Sequence, residues 1–415
     1  MTDTSSALVI GGGIAGPVAA MALQKAGIQA TVYEAYDGPA AGAGGGLTIA
    51  PNGLNALGVI GAAEAVQRIG IPMPAIVIES WTGKQLAEFG GQPGLPDPRF
   101  AWRGELHATL HDEAARRGIR TQFGKRLEDA DAAAETVTAH FADGTHASAD
   151  ILIGADGIRS TVRSLIDPAA PQPRYAGLVS LAARMHDTGL APTGGKMHMI
   201  FGKRAFFGYA VFDDGSGGWF VNLPHQPPMT LADARAVPAV QWLTRLREAV
   251  AEDRTPAPGL LNRTDPAALL VVGPMEDIPT VPAWSNGRMV LAGDAAHATS
   301  PSSGQGASLA AESAVQLARC LRDLPHQQAF AAYEQLRRPR VEKIIKLAAR
   351  TNRDKAAGPV ARISRDLLLP VMMKVMAKPG RMAWQFGYRI DWGERAGTMP
   401  EESRTGAAPR SGAPG

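Results

Sequence analysis

Apolar and polar positions follow two different periods along this chain, and the change of period marks its parts. Residues 7–10, Ala7-Leu8-Val9-Ile10, form a continuous apolar run, the pattern of a strand buried on both faces of a parallel sheet. A glycine turn follows. Good helix formers then run from Pro17 to Ala26 and close at Gly27, and residues 29–34 read as a second strand. Residues 54–70 predict one or two helices and residues 105–118 a helix. Strands are expected at residues 136–141 and 147–153, joined at the hairpin signal Asp143-Gly144. A proline- and glycine-rich stretch, 71–100, carries a strand-like piece at 76–78. Between residues 178 and 223 the strand period dominates, with strands at 197–201, 205–212 and 219–223 separated by glycine-rich turns. Residues 231–252 read as a helix, 289–292 as a strand, and 306–322 and 330–355 as helices.

The first turn has the sequence Gly11-Gly12-Gly13-Ile14-Ala15-Gly16 between a strand and a helix, the context a dinucleotide turn requires. Gly11 permits the tight turn, Gly13 lets the backbone approach a pyrophosphate, and Gly16 lets the helix pack closely on the sheet. The helix N-terminus then offers free N–H groups and partial positive charge to phosphate. Glu34 ends the second strand, near the ~20-residue offset of an acid that binds a ribose. A carboxylate there favours an unphosphorylated ribose, FAD or NAD over NADP, and the motif leaves those two open. The glycine run 42–46 follows Pro39-Ala40-Ala41 and no apolar strand, so it reads as a flexible loop beside the nucleotide.

Composition bounds the rest. With 415 residues, 45% of them hydrophobic, the chain exceeds one typical core and suits two domains or one with large insertions. Its 42 basic and 39 acidic residues leave a net charge of +3, which gives no reason to expect a nucleic-acid partner. The dense basic run from Arg337-Arg338-Pro339-Arg340 to Lys355 reads as a solvated helix face, or else as an attractor for a phosphorylated cofactor. The single cysteine, Cys320, sits among small residues and reads as core packing, in keeping with a reducing cytoplasm. Residues 1–6 are short and polar, so no leader is expected, and residues 367–376 fall short of the ~20 residues that span a bilayer. No residue set is assigned to a metal. Residues from 397 onward, rich in Gly, Ala, Pro and Ser, read as a disordered or loosely draped tail.

Two further segments join the first: Gly154-Ala155-Asp156-Gly157-Ile158-Arg159-Ser160 and Gly293-Asp294-Ala295-Ala296-His297. The three in this order resemble the flavoprotein aromatic hydroxylases, single-component FAD-dependent monooxygenases, over roughly residues 7–350. The resemblance implies an α/β fold: a Rossmann-like FAD-binding domain with an inserted antiparallel β-sheet substrate domain and C-terminal helices. Its expected parts are residues 1–70, 101–173 and 266–330 for FAD, 71–100 and 174–265 for substrate, and 331–396 for the C-terminal helices, with 397–415 the tail. It implies that Asp294 binds a ribityl hydroxyl, that Pro301 lies at the flavin face, and that backbone N–H groups of Gly304 and Gln305 point at the isoalloxazine carbonyl. Asp156 would serve FAD and the nicotinamide cofactor, with a turn former as its alternative, and Arg103 would contact FAD. Gly11, Gly13, Ile14, Ala15, Gly16 and Glu34 complete the expected cofactor set. His297 receives no catalytic role.

The implied chemistry is the cofactor's: NADH or NADPH reduces FAD, O2 adds to give a C4a-hydroperoxide, and its distal oxygen passes to an aromatic or polycyclic small molecule. The inserted sheet is expected to roof the flavin, offering Met199, Phe207, Tyr209, Phe220 and Asn222 to a flat, largely apolar substrate. Met372, Met376 and Met382 are candidates for an adaptable entrance, against ordinary packing. No substrate-activating base stands out; His198, His225 and Tyr209 are the candidates. A cytoplasmic monomer or homodimer without stable membrane insertion is expected. A flavin-dependent reductase or dehydrogenase of the same fold, or a non-catalytic flavin-binding sensor, are the competing readings.

Overall fold

A computed structural model of the chain describes residues 3–38, 45–355, 366–368, 370 and 382–396. Among the described residues the largest core is built around a six-stranded sheet. Its order is Ser285–Asn286, Met289–Leu291, Ile151–Gly154, Ser6–Ile10, Gln29–Tyr33, Arg120–Gln122, parallel except at the first pair. Val9, Leu152, Ile153, Val290 and Leu291 are fully buried, as continuous apolar strands covered on both faces must be. Helix Ala15–Lys25 packs on this sheet, and helix Gly306–Asp323 packs alongside that helix.

The expected hairpin about Asp143-Gly144 forms, but its second arm is two strands. His146–Ala149 pairs back onto Val137–Phe141, whereas Ile151–Gly154 joins the parallel sheet beside Ser6–Ile10. The break is Asp150, whose carboxylate accepts from the backbone N–H groups of Ser5 and Ser6 at 2.7 and 2.9 Å and holds the chain across the two sheets.

The inserted sheet has seven strands among the described residues. In order they are Leu269–Asp277, Arg174–Met185, Gly217–Pro224, Phe206–Val211, Met197–Phe201, Ala75–Ser80 and Gln85–Gly90. Every pairing is antiparallel except Met197–Phe201 with Ala75–Ser80. Residues 231–252 divide at Pro238 into two helices, Leu231–Ala236 and Ala239–Val250, since proline interrupts the helical hydrogen bonds. The second buries Trp242, Leu243, Leu246 and Val250 against one face of the sheet, with Ala257–Arg263 beside it. Helix His326–Lys355 runs unbroken past Pro339. The glycine loop 42–44, Met372, Met376 and the tail from 397 lie outside the described residues. Among the described residues no helix is long and apolar enough to cross a membrane.

Candidate functional site

The three glycine-marked segments meet at the ends of adjacent strands. Gly11 adopts φ +104°, and a Cβ on it would lie 2.4 Å from Ala155 O, so only glycine lets the first turn lie against the second segment. Ala155 N–H donates to Ile10 O at 2.7 Å, and Ala292 N–H to Gly154 O at 2.8 Å. Buried Arg163 reaches from the second segment to Ala295 O of the third at 3.1 Å. Gly293 closes the ring, since a Cβ there would approach the Ala15 methyl to 2.8 Å.

Within the first turn, a Cβ on Gly16 would stand 1.9 Å from Gly11 O, which enforces the close helix packing. A Cβ on Gly13 would meet nothing within 4 Å. That open space is what a pyrophosphate approaching the backbone needs. Ile14 and Ala15 begin the helix whose free N–H groups face that space. Glu34 lies directly beside the turn, its carboxylate accepting from Gly12 N–H at 2.5 Å and Tyr36 N–H at 2.9 Å. His111 braces the other side, its Nε2 2.6 Å from Gly12 O. Sequence reasoning missed His111 because it acts from a helix, Arg103–Arg116, nearly a hundred positions away.

Asp294 heads the four-residue helix Asp294–His297. Its carboxylate is reachable by solvent yet ringed by protein, and it has no hydrogen-bond partner among the described residues. Desolvation by those walls raises its pKa, and the nearby Arg103 guanidinium opposes the rise. Arg103 therefore stands close to Asp294 and also, after burial, helps push His107 down to about 4. Gln305 is fully buried; its Oε1 accepts from Asn52 at 2.9 Å while its Nε2 is unpartnered among the described residues. An accessible acid, an adjacent guanidinium, an orphaned amide and an open glycine turn fit an FAD running from the first turn to residues 300–305. Glu34 would hold the ribose, Asp294 the ribityl chain, and the residues near Gln305 the ring.

Several expectations change in detail. The N–H of Gly304 donates to Pro301 O, and that of Gln305 to Ser303 Oγ, both at 3.0 Å, so neither is free for the flavin. The free donors are those opening helix Gly306–Asp323, at Gly306, Ala307 and Ser308. Asp156 stands beside Gly11, but its carboxylate caps helix Thr161–Ile166, accepting from Ser160 Oγ at 2.5 Å and from the N–H groups of Thr161 and Val162. Pro301 opens a short 3-10 turn held to the C-terminal helix, where Ser300 Oγ donates to Asn352 Oδ1 at 3.0 Å. His297 is a packed, neutral imidazole, 2.7 Å from Ser313 Oγ and pushed down to about 3 by burial.

The roof sheet separates the expected substrate residues onto two faces. Directly opposed pairs place Ser180, Ala182, Met199, Phe206, Phe220 and Asn222 on one face. That face meets the FAD side: a Cβ on Gly45 would touch Ala182 at 3.5 Å, and one on Gly218 would touch Trp102 at 3.2 Å. Phe207 and Tyr209 belong to the other face, packed with Val221 and Trp219 against Trp242 and Leu246, so the structure does not bring them together with Met199, Phe220 and Asn222. A cavity of about 440 Å³ opens on their side, lined by His198 and Tyr209 and cut off from the flavin loop by the sheet. The rings of His198 and Tyr209 lie tilted there with centres 4.9 Å apart, and His225 lies against Trp242, so none of the three candidate bases is on the inner face of the sheet.

The basic run is a solvated face only in part: Lys343, Lys346 and Arg350 are exposed, whereas its first turns point inward. Arg337 is fully buried, 2.5 Å from Glu312, and Arg340 forks onto the same carboxylate at 2.9 Å. Asn52 completes the cluster with a 2.6 Å bond to Glu312. Burial works against ionisation of Glu312, but Arg337, Arg340 and Asn52 outweigh it and hold the carboxyl below its ordinary value. Cys320 is buried and pushed up to about 11 by desolvation, as befits a packing residue.

Comparison with known proteins agrees with this geometry. The FAD binding domain family matches residues 4–211 and 278–348. FAD-dependent urate hydroxylase of Klebsiella pneumoniae is 31% identical over 361 residues, 85% of this chain and 90% of that protein. 6-Hydroxynicotinate 3-monooxygenase of Pseudomonas fluorescens is 29% identical over 375 residues, 85% of this chain and 94% of its own. The crystal structure of Klebsiella pneumoniae HpxO with FAD and uric acid superposes with a TM-score of 0.79 at 26% identity, covering 90% of this chain and 96% of that one.

Proposed function

The chain belongs to the flavoprotein aromatic hydroxylases, FAD-dependent monooxygenases, and from that premise we propose that its substrate is a small hydroxylated aromatic ring bound between the roof sheet and residues 300–305. One observation carries the reading: the inner sheet face presents Met199 and Phe220 toward the FAD side, with apolar area for a ring, and Asn222 lies on the same face. When bound, FAD supplies the redox chemistry, taking a hydride from NADH or NADPH and activating O2 for transfer of one oxygen atom to the ring.

The chain's own residues position and shield. The glycine turn, Glu34, Arg103 and Asp294 anchor the cofactor along its length, and the N–H groups opening helix Gly306–Asp323 stabilise negative charge on its ring end. The roof sheet covers the ring and limits bulk water. A cleft of about 380 Å³ lined by Arg159, Ser160, Thr161 and Arg163 is the proposed docking place of the nicotinamide cofactor's phosphates. The substrates in the relatives' names, urate and 6-hydroxynicotinate, support a nitrogen heteroaromatic. A cytoplasmic monomer or homodimer, with the domain limits given above, belongs to the same proposal.

Labelled-oxygen turnover tests it. The FAD-loaded protein is supplied with NADPH or NADH, labelled O2 and a panel including urate, 6-hydroxynicotinate and 4-hydroxybenzoate. A product carrying one labelled oxygen per reductant oxidised is expected. Reductant oxidation that yields only peroxide across the panel overturns the substrate class.

A further inference from the structure

Helix His326–Lys355 ends against the inner face of the roof sheet, and its last residue carries a cation into that face. Lys355 Nζ donates to Asn222 Oδ1 at 2.7 Å and lies 4.0 Å from the centre of the Phe206 ring. Phe206 and Asn222 are a directly opposed strand pair, so the amine sits on the side of the sheet that also holds Phe220 and Ser180. Asn222 Nδ2 donates to Ser180 Oγ at 3.2 Å, which fixes the amide with its oxygen toward the lysine.

None of these neighbours is negatively charged. The two buried arginines of the same helix, Arg337 and Arg340, share Glu312, yet Lys355 has no carboxylate partner among the described residues. An ammonium has three donors, and one is used here. Desolvation drives the amine from the ordinary 10.5 down to about 7, with no opposing charge among the described residues to restore it. A partly desolvated cation with spare donors and no counter-charge among the described residues is costly, and an anion brought to it completes the arrangement.

We propose that Lys355 is the specificity residue of this site, its Nζ pairing with an anionic oxygen of an aromatic acid whose ring packs on Phe220 and Met199. The inference rests on the inner sheet face being the substrate side. Asn222 is then a positioning residue, aiming the amine; Phe206 steadies the ammonium by the cation–π contact.

Binding is read without turnover, from the change in flavin absorbance when ligand is added to the FAD-loaded protein. The probes are 6-hydroxynicotinate and 4-hydroxybenzoate, each beside its carboxamide, which keeps shape and removes charge. The wild-type protein is expected to bind at least one acid about ten-fold or more tighter than its carboxamide, the scale of one charged hydrogen bond. Lys355→Met should bring that preference to within about two-fold by weakening the acid alone, while Lys355→Arg keeps most of it. Equal affinities for acid and amide in the wild type overturn the proposal, as does a preference that survives in Lys355→Met or vanishes in Lys355→Arg. A protein that hydroxylates neutral rings without regard to charge retains the function proposed above and loses only this role. One that selects acids but inserts no oxygen keeps the role of Lys355 and loses that function.

Discussion

Gly13 and Gly16 are three positions apart in one turn, and the structure gives them different duties. A side chain on Gly16 collides with the protein's own backbone, whereas one on Gly13 enters empty space. Gly16→Ala is therefore expected to destabilise the FAD-free protein by about 1–3 kcal/mol, as overpacking does. Gly13→Ala should leave the FAD-free protein within about 0.5 kcal/mol of wild type and still lower FAD affinity by about ten-fold or more. Denaturant melts with and without FAD separate the two; equal behaviour of the variants contradicts the assignment of that space to the pyrophosphate. Asp294 offers a second contrast. Desolvation by the surrounding walls lifts its folded carboxyl above the unfolded value, so its contribution to stability is greatest below the ordinary carboxylate range and is lost as pH rises through the folded pKa. FAD-free Asp294→Asn should melt higher than wild type at pH 7, with the gap closing as pH falls toward 3.8, while its FAD affinity drops by about 1.5–3 kcal/mol. A lower melting temperature at neutral pH would show that the acid has a stabilising partner. The convergence of the glycine turn and Glu34 was legible from their offsets to a strand end, and the place of Asp294 from the family resemblance. His111, Asn52 and Lys355 were not, because a residue reaching in from a remote helix leaves no local spacing to read.

At the scale of elements, the roof sheet shows what alternation determines and what it leaves open. Period two sorts Phe206 from Phe207 without saying which one faces the flavin. The deciding partner is helix Ala239–Val250, whose Trp242, Leu243, Leu246 and Val250 stripe needs an apolar surface and takes the one formed by Phe207, Tyr209, Val211 and Val221. Reading that stripe against the strands would have placed Phe207 and Tyr209 in the core. Phe207→Ala is accordingly expected to cost about 3–5 kcal/mol of stability with little change in substrate KM, and Phe220→Ala to change KM more than stability. Helix His326–Lys355 carries a similar lesson. Its buried positions Phe330, Tyr333, Arg337, Val341, Ile344 and Ala348 recur every three or four residues, so Arg337 lies on the apolar stripe despite its charge. Counting basic residues hid this, whereas the period reveals it. Glu312→Gln would leave Arg337 and Arg340 without their carboxylate, and a loss of about 3–5 kcal/mol is expected, read as a shifted urea midpoint at unchanged slope. A midpoint within error of wild type would mean that the cluster is hydrated in solution.

Over the whole molecule, the parallel sheet and the roof are joined by contacts that border the proposed cofactor path. Gly45 and Trp102 meet the roof at Ala182 and Gly218, Asn352 holds Ser300, and Lys355 holds Asn222. FAD placed along that path would touch segments separated by nearly three hundred residues, at 11–16, 34, 103 and 294–308. A ligand that binds only the folded form stabilises it by about 2.7 kcal/mol at a concentration 100 times its Kd. Because the contacts are shared among the segments, that stabilisation should appear in all of them together. Hydrogen exchange measured with and without FAD is therefore expected to show protection rising jointly at the N–H groups of residues 13–16 and 306–308, while the helix Ala239–Val250, on the far face of the roof, gains only what global stability confers. Protection confined to 13–16, with 306–308 unchanged, would mean that the adenosine end binds without the ring reaching the third segment. The single path from Glu34 to Gln305 would then be wrong even if the protein is yellow.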